Sequence, residues 1–493
     1  MAGGLPAVGC QVKRRKPIVS TDELRIGFGR NPLDPDRQPA QAPPFMVATQ
    51  ALIERLNRGV RKRNARWKFV SDHAFGEALT LRRFRLGNGL TVLTLVDRSA
   101  PTVSYHTWFR VGSRHEWPGK TGLAHLFEHL MFSETQSHAP GEFDRLMEGA
   151  GAEANAATWT DWTYFYENAP REALPLLIEL EADRMSNLIL RQPQVSSEKE
   201  VVANERKLRV DDDIEGKAAE LLYANAFRRH PYRWPTIGWM DDIRGFTVND
   251  CQTFYRKHYA PNNATLVIVG DFDERKALSL VQSHYGSLPR ARSVPSPTSS
   301  REPSQRAERV LQLLAPTPTE KLLLGYHAPA FAHPSTPALT IANEVWFGGQ
   351  SSRLHRLFCI DAELALSVRG SLAPFIEPGL FEIWIFLREG KHAREALKLL
   401  DREIARLGSE GPTAEELEKA IHQLELSFLH TMETAGGKAE QIGFYETVAH
   451  DGAAVFDRLA AYRKVKAGDV RRAVSRYLRP SRRTRVEILR QAS

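Results

Sequence analysis

Apolar residues recur at helical spacing through Leu123, Leu126, Phe127, Leu130 and Met131, which predicts a short helix with one face against a core. The opposite face of that helix carries His125, Glu128 and His129. A second helical pattern runs through residues 197–210 (SEKEVVANERKLRV). There Glu198, Val201, Val202, Glu205 and Leu208 share one stripe, with Lys199, Glu200, Arg206 and Lys207 on the other side, so two acids are expected to point inward. Residues 81–96 read as a strand hairpin around Gly87-Asn88-Gly89, and residues 155–166 alternate as a strand. Hairpin, helix, further strands, helices and a closing strand predict an α+β fold, not alternating βαβ units.

The pattern occurs twice. A constant offset of 219 residues maps Asp250 onto Asp469, Pro261 onto Pro480 and Thr265 onto Thr484, each proline preceding a closing strand. It also lays the motif helix over residues 337–347. The expected organisation is an N-terminal extension (1–75), a first half (76–292), a proline- and serine-rich linker (293–306) and a homologous second half (307–493). Under that register His125, Glu128 and His129 fall on Glu344, Phe347 and Gly348, so only the first half has metal-binding chemistry.

A length of 493 residues with 42% hydrophobic residues fits two or more domains, and no apolar run approaches the roughly 20 residues that a bilayer demands. Part of the net charge of +8 is local, in the run at residues 13–16 and between residues 55 and 68. Residues 32–44 read as an extended linker and 44–63 as a basic helix. The favoured reading is a solvated extension wrapping its own protein, against an arm that docks on a partner. No nucleic-acid motif is present. Three scattered cysteines, Cys10, Cys251 and Cys359, suggest neither a disulfide framework nor a thiolate metal site. Without a charged-then-apolar leader the expected compartment is the cytoplasm; a misassigned start would make it the periplasm.

Two imidazoles four residues apart on a helix stack one above the other and can share one zinc ion, while Glu128 stands beside them as a general base for a water of lowered pKa. The bland alternative is a solvated face that happens to carry two histidines and an acid. Catalytic zinc takes three protein ligands, and the missing one should be a carboxylate. Glu205 is the expected third ligand of a single Zn2+ per chain. Glu198, two turns away, is too distant to ligate as well and is expected to orient a histidine or a water. A buried salt bridge is the structural alternative for both acids.

With these residues in place, the chain resembles the pitrilysin, insulinase and mitochondrial processing peptidase family of zinc peptidases, for which His-x-x-Glu-His is the inverted zinc motif. Glu205 lies 76 residues beyond His129, as the family's third ligand does. Further matches are LGNGLTVL (86–93), VGSRHE (111–116), NAATWTDWTYF (155–165), HPYRWPTIGW (230–239) and YAPNNATLVIVGDF (259–272), and the resemblance runs from about residue 80 to the end. It implies two halves, each a largely antiparallel sheet with helices on one face, closing around a chamber for extended peptides. The strand at residues 155–166 would capture substrate along its free edge, with Asn155 and Ala156 as substrate-binding residues; a turn bonded to its own backbone is the alternative for Asn155. Many relatives carry an arginine and a tyrosine, seven apart, that stabilise the oxyanion. Aligned on Ser352-Arg353-Leu354, those positions hold Cys359 and Leu366. The resemblance therefore implies a zinc endopeptidase working as the metal-bearing subunit of a heterodimer, whose homologous partner supplies the missing pair; Arg353, His355 or Arg356 could substitute. The alternative is a non-catalytic scaffold or assembly subunit of the same fold.

Overall fold

Two twisted sheets carry the structure. The computed structural model describes residues 44–294 and 301–491. The first sheet contains β1 (Trp67–Phe75), β2 (Leu79–Leu86), β3 (Thr91–Val96), β4 (Thr102–Phe109), β5 (Glu153–Thr158), β6 (Thr163–Pro170) and β7 (Ala264–Gly270), in the order β1-β2-β3-β7-β4-β6-β5. The second contains β8 (Arg309–Ala315), β9 (Lys321–His327), β10 (Ala365–Leu372), β11 (Leu380–Leu387) and β12 (Arg483–Arg490), in the order β10-β11-β9-β12-β8. Read from β3 and from β8, the orders are the same, and the one parallel pair of each sheet falls at the same place, β3 with β7 and β8 with β12. The fold is α+β with two homologous halves, as expected.

The register 155–166 does not form a single strand. It is a hairpin in which β5 is the free edge and β6 lies between β5 and β4. The first sheet also starts earlier than residue 76. Strand β1 pairs with β2 from Trp67↔Leu86 to Phe75↔Leu79, and Trp67 is buried against Phe84. Its alternation is diluted by Lys68, Ser71, Asp72 and His73, so it does not stand out from the basic segment before it. The basic helix expected at 44–63 runs over Pro44–Asn57. The basic run at 13–16, residues 32–43 of the proline-rich stretch and residues 295–300 of the linker lie outside the described residues. Among the described residues no helix is long and apolar enough to cross a membrane.

Each sheet has its own helices on one face, forming the two largest clusters of buried side chains. The other face takes a helix from the opposite half. Helix Ala435–Val448 lies on β4 and β7 of the first sheet, and helix Ile214–Ala226 lies on β8, β9 and β12 of the second. Ile442 and Ala439 thereby join Leu93, Leu95, Trp108 and Val267, while Leu222 and Ala218 join Leu323, Val486 and Ile488. Charge fixes both crossings. Glu446 receives Arg83 and Arg110, and Lys438 donates to Asp97 at 2.7 Å. In the second half Glu215 meets Lys321 at 3.0 Å and Arg369 at 2.9 Å.

Candidate active site

The motif helix, Leu123–Leu130, is held at its start by carboxylates. The buried Glu116 accepts from Gly122 N at 2.8 Å and Ala124 N at 2.7 Å, satisfying amides that have no partner within the helix. Asp242 accepts from the Thr121 amide and hydroxyl. Gly122 has φ +96°, and a Cβ there would stand 2.5 Å from the Ile237 carbonyl oxygen, so the approach of these loops requires glycine. Leu123, Leu126, Phe127, Leu130 and Met131 are buried as their spacing predicted. That leaves His125, Glu128 and His129 on the side turned toward the edge of β5.

Helix Gln192–Arg206 brings the carboxylates. Its buried residues are Val195, Val202 and Arg206, whereas Val201 is 46% and Leu208 73% exposed. Of the expected stripe, Val202 is buried and Glu198 and Glu205 turn inward, as expected, while Val201 and Leu208 turn to solvent. Arg206 enters the core because Glu220 takes it in two hydrogen bonds, of 2.7 and 3.1 Å, and the Gly238 carbonyl accepts a third. With that arginine buried, Glu198 and Glu205 face across the cleft to the motif helix.

There the named groups meet. Glu205 Oε2 lies 3.6 Å from His125 Nε2 and 3.3 Å from His129 Nε2, and one donor atom from each of the three residues falls within 4.8 Å of the others. Ligands about 2.0–2.2 Å from one tetrahedral ion stand about 3.3–3.6 Å apart, so the donor set fits zinc. Glu198 Oε2 is 3.6 Å from His129 Nδ1, the nitrogen turned away from Glu205. Burial depresses the His125 imidazole to about 4. His129 is also pushed down by burial, but Glu198, Glu205 and Glu128 outweigh this and raise it to about 9. Three carboxylates around two imidazoles leave the cleft short of positive charge, the condition that a divalent cation relieves. Burial raises the Glu128 carboxyl above its usual range, against the lowering influence of Thr158, at the end of β5, and of His129.

Asn155 is engaged with its own strand, its Oδ1 accepting from Ala156 N at 2.8 Å. The bond is to its own backbone but within a strand, not in the turn of the alternative reading, and a substrate carbonyl at Ala156 N would have to displace it. Cys359 is buried and Leu366, on the free edge strand β10, is 61% exposed. Arg353 is committed to Glu403 and Glu416. Sequence reasoning missed Arg209, whose Nε stands 3.0 Å from Glu205 Oε1 and leaves Oε2 for the histidines; its i+4 spacing from the acid was the available signal. It also missed Glu116, although that residue closes the VGSRHE segment.

Two sheet-and-helix halves, one of them bearing a His-x-x-Glu-His helix and a facing carboxylate, define the metallopeptidase class. Residues 91–238 match the family model described as "Insulinase (Peptidase family M16)", and residues 245–424 match "Peptidase M16 inactive domain". The chain is 29% identical over 418 residues to the zinc protease PqqE of Helicobacter pylori, covering 83% of this chain and 92% of that protein. It is 30% identical over 308 residues to the uncharacterized zinc protease Mb2805c of Mycobacterium bovis (62% and 70% covered). It is also 24% identical over 406 residues to the mitochondrial-processing peptidase subunit beta of Lentinula edodes (80% and 86%). The crystal structure of a protease from Helicobacter pylori superposes with a TM-score of 0.79 at 28% identity, over 83% of this chain and 99% of that one. The chain belongs to the M16 peptidase family.

Proposed function

We propose that the chain is a zinc-dependent endopeptidase that cleaves extended peptides laid along β5. The observation carrying this reading is the convergence of His125, His129 and Glu205 on one point beside Glu128, at the free edge of a sheet. The three residues would hold one zinc ion, which when bound would supply Lewis acidity and lower the pKa of water. Glu128 takes a proton from the attacking water and returns it to the leaving nitrogen, its burial bringing it closer to the pKa such a shuttle needs. Glu198 orients His129 through the second ring nitrogen. Strand β5 offers its unpaired backbone to the substrate, with Ala156 N exchanging the Asn155 oxygen for a substrate carbonyl.

Neither Cys359 nor Leu366 can donate a charge-assisted hydrogen bond to a developing oxyanion. The proposal therefore includes a homologous partner chain that brings an arginine and a tyrosine to the chamber, in line with a relative named as a subunit. The test is metal analysis and a quenched-peptide assay on the full chain, on Glu128→Gln, and after adding a homologous chain that carries the pair. Zinc bound without turnover until the partner arrives supports the split site. Full turnover by the chain alone removes the partner from the proposal, and absence of metal under all conditions leaves a scaffold subunit.

A further inference from the structure

The tips of two equivalent hairpins meet at the junction of the halves. In the first half, the turn between β5 and β6 places Asp161 in a buried position, where its Oδ1 accepts from Arg114 Nη1 at 2.8 Å and from the Tyr232 hydroxyl at 3.0 Å. Its other oxygen, Oδ2, accepts from Ile376 N at 2.8 Å. Ile376 belongs to the loop between β10 and β11, the second half's counterpart of the same turn. From that loop Glu377 takes the second amino group of Arg114 and sits 2.9 Å from His230 Nε2, while Glu377 N donates to Tyr232 Oη at 3.1 Å. Phe375, from the same loop, lies 4.5 Å from the Tyr232 ring and 5.7 Å from that of Trp159.

Two stretches of chain run from this cluster to the cleft. The backbone of Ser113 and Arg114 donates to the carbonyls of Trp159 and Thr160, and the segment continues to Glu116, which caps the motif helix. The hairpin held by Asp161 leads back along the chain to Thr158, at the end of β5, the strand that packs on the motif helix. Arg114 is 4% exposed, so it needs its anions.

We infer that Glu377 is a positioning residue for the first half's reaction, supplied by the half without metal ligands. Through Arg114 and Asp161 it fixes the edge strand β5 against the motif helix, and so sets where an extended peptide lies relative to Glu128. This rests on the peptidase reading above. All three expected ligands stand on first-half helices, so the junction governs substrate placement and leaves metal affinity alone.

The test compares the zinc-loaded full chain, with its partner where turnover requires one, against Glu377→Gln and the conservative Glu377→Asp. Zinc affinity is measured by competition with a chelating dye, kcat and KM on an extended quenched peptide, and amide exchange over residues 155–163, with a thermal melt confirming that each variant is folded. The expected result for Glu377→Gln is unchanged zinc affinity, faster exchange over 155–163, and kcat/KM lower by about tenfold to a hundredfold, the scale of a remote misplacement. Glu377→Asp recovers part of that loss. A folded Glu377→Gln with wild-type exchange overturns the inference, as does wild-type kcat/KM where the parent chain is active. A parent chain that binds zinc yet cleaves nothing even with its partner added refutes the peptidase reading instead, and the exchange result still decides the junction. Should Glu377→Gln not fold, Asp161→Asn is read by the same measurements and decides the outcome.

Discussion

The two halves share strand order and a reciprocal helix exchange, yet among the described residues only the first brings histidines and a carboxylate together between its helices. The 219-residue offset places Leu417 and Leu424 where the first half has Glu198 and Glu205, and both leucines pack on the second core. Gly348, opposite His129, has no room for a side chain, since a Cβ would approach the Glu344 carbonyl oxygen to 2.5 Å. The second half thus packs leucines where the first half presents two carboxylates. The exchanged helices differ in the same complementary way. Trp108 of β4 fits against Gly443, where a Cβ would come within 2.0 Å of its Nε1; at the matching crossing Gly325 of β9 receives Leu222. Large and small residues have traded sides while the crossing was kept. A duplicated scaffold tolerates opposite solutions wherever total volume is conserved.

The comparison can be broken most severely by giving the first half the second half's residue. Glu205→Leu is expected to abolish stoichiometric zinc binding and all metal-dependent turnover, measured by metal analysis and peptide assay. Next come the crossings. Trp108→Gly should cost about 3–5 kcal/mol as a large-to-small change, and Gly443→Leu about 1–3 kcal/mol as overpacking. The double variant, which copies the second half's arrangement, should be more stable than the sum of the two in urea titrations; strict additivity would refute the volume trade. Glu446→Gln leaves Arg83 and Arg110 facing a neutral group, and about 2–3 kcal/mol of stability should go, less than for a pair buried on both sides because the arginines are partly exposed. The smallest effect concerns Asp97. Burial would raise its pKa, but the Lys438 ammonium and the Ser99 donors outweigh this and hold it below the ordinary value. A carboxyl with a depressed native pKa contributes stability above the unfolded value, near about 4, that is lost as pH falls through the native one. Asp97→Asn should therefore flatten the fall in melting temperature below about pH 4, and an unchanged acid limb would show the pair to be inert.

The motif helix was legible because its apolar stripe is local and its two histidines and acid stand at fixed helical spacing. Glu205 lies inward, where its stripe was expected to place it, but Val201 and Leu208 of the same stripe are exposed. Hydropathy assigns an arginine to water, and nothing in residues 197–210 tells that Glu220 and the Gly238 carbonyl will take Arg206 inside. The duplication was legible from Asp250, Pro261 and Thr265 and their repeats. The exchange was not, because periodicity in residues 214–226 or 435–448 reports that a face is buried without saying which sheet buries it. The turn at residues 159–162 was hidden for a related reason: Asp161 and Trp162 continue the alternation of a strand, and only the pairing of Thr158 with Thr163 reverses the chain.

The exchanged helices also bear on how the protein emerges during synthesis. Leu93, Leu95, Trp108 and Val267 have their covering helix encoded far downstream, ending at Val448. At about 5–20 residues per second, the newly made first sheet spends on the order of ten seconds with one greasy face bare. That interval, not the finished fold, is where a ribosome-bound holdase would matter most.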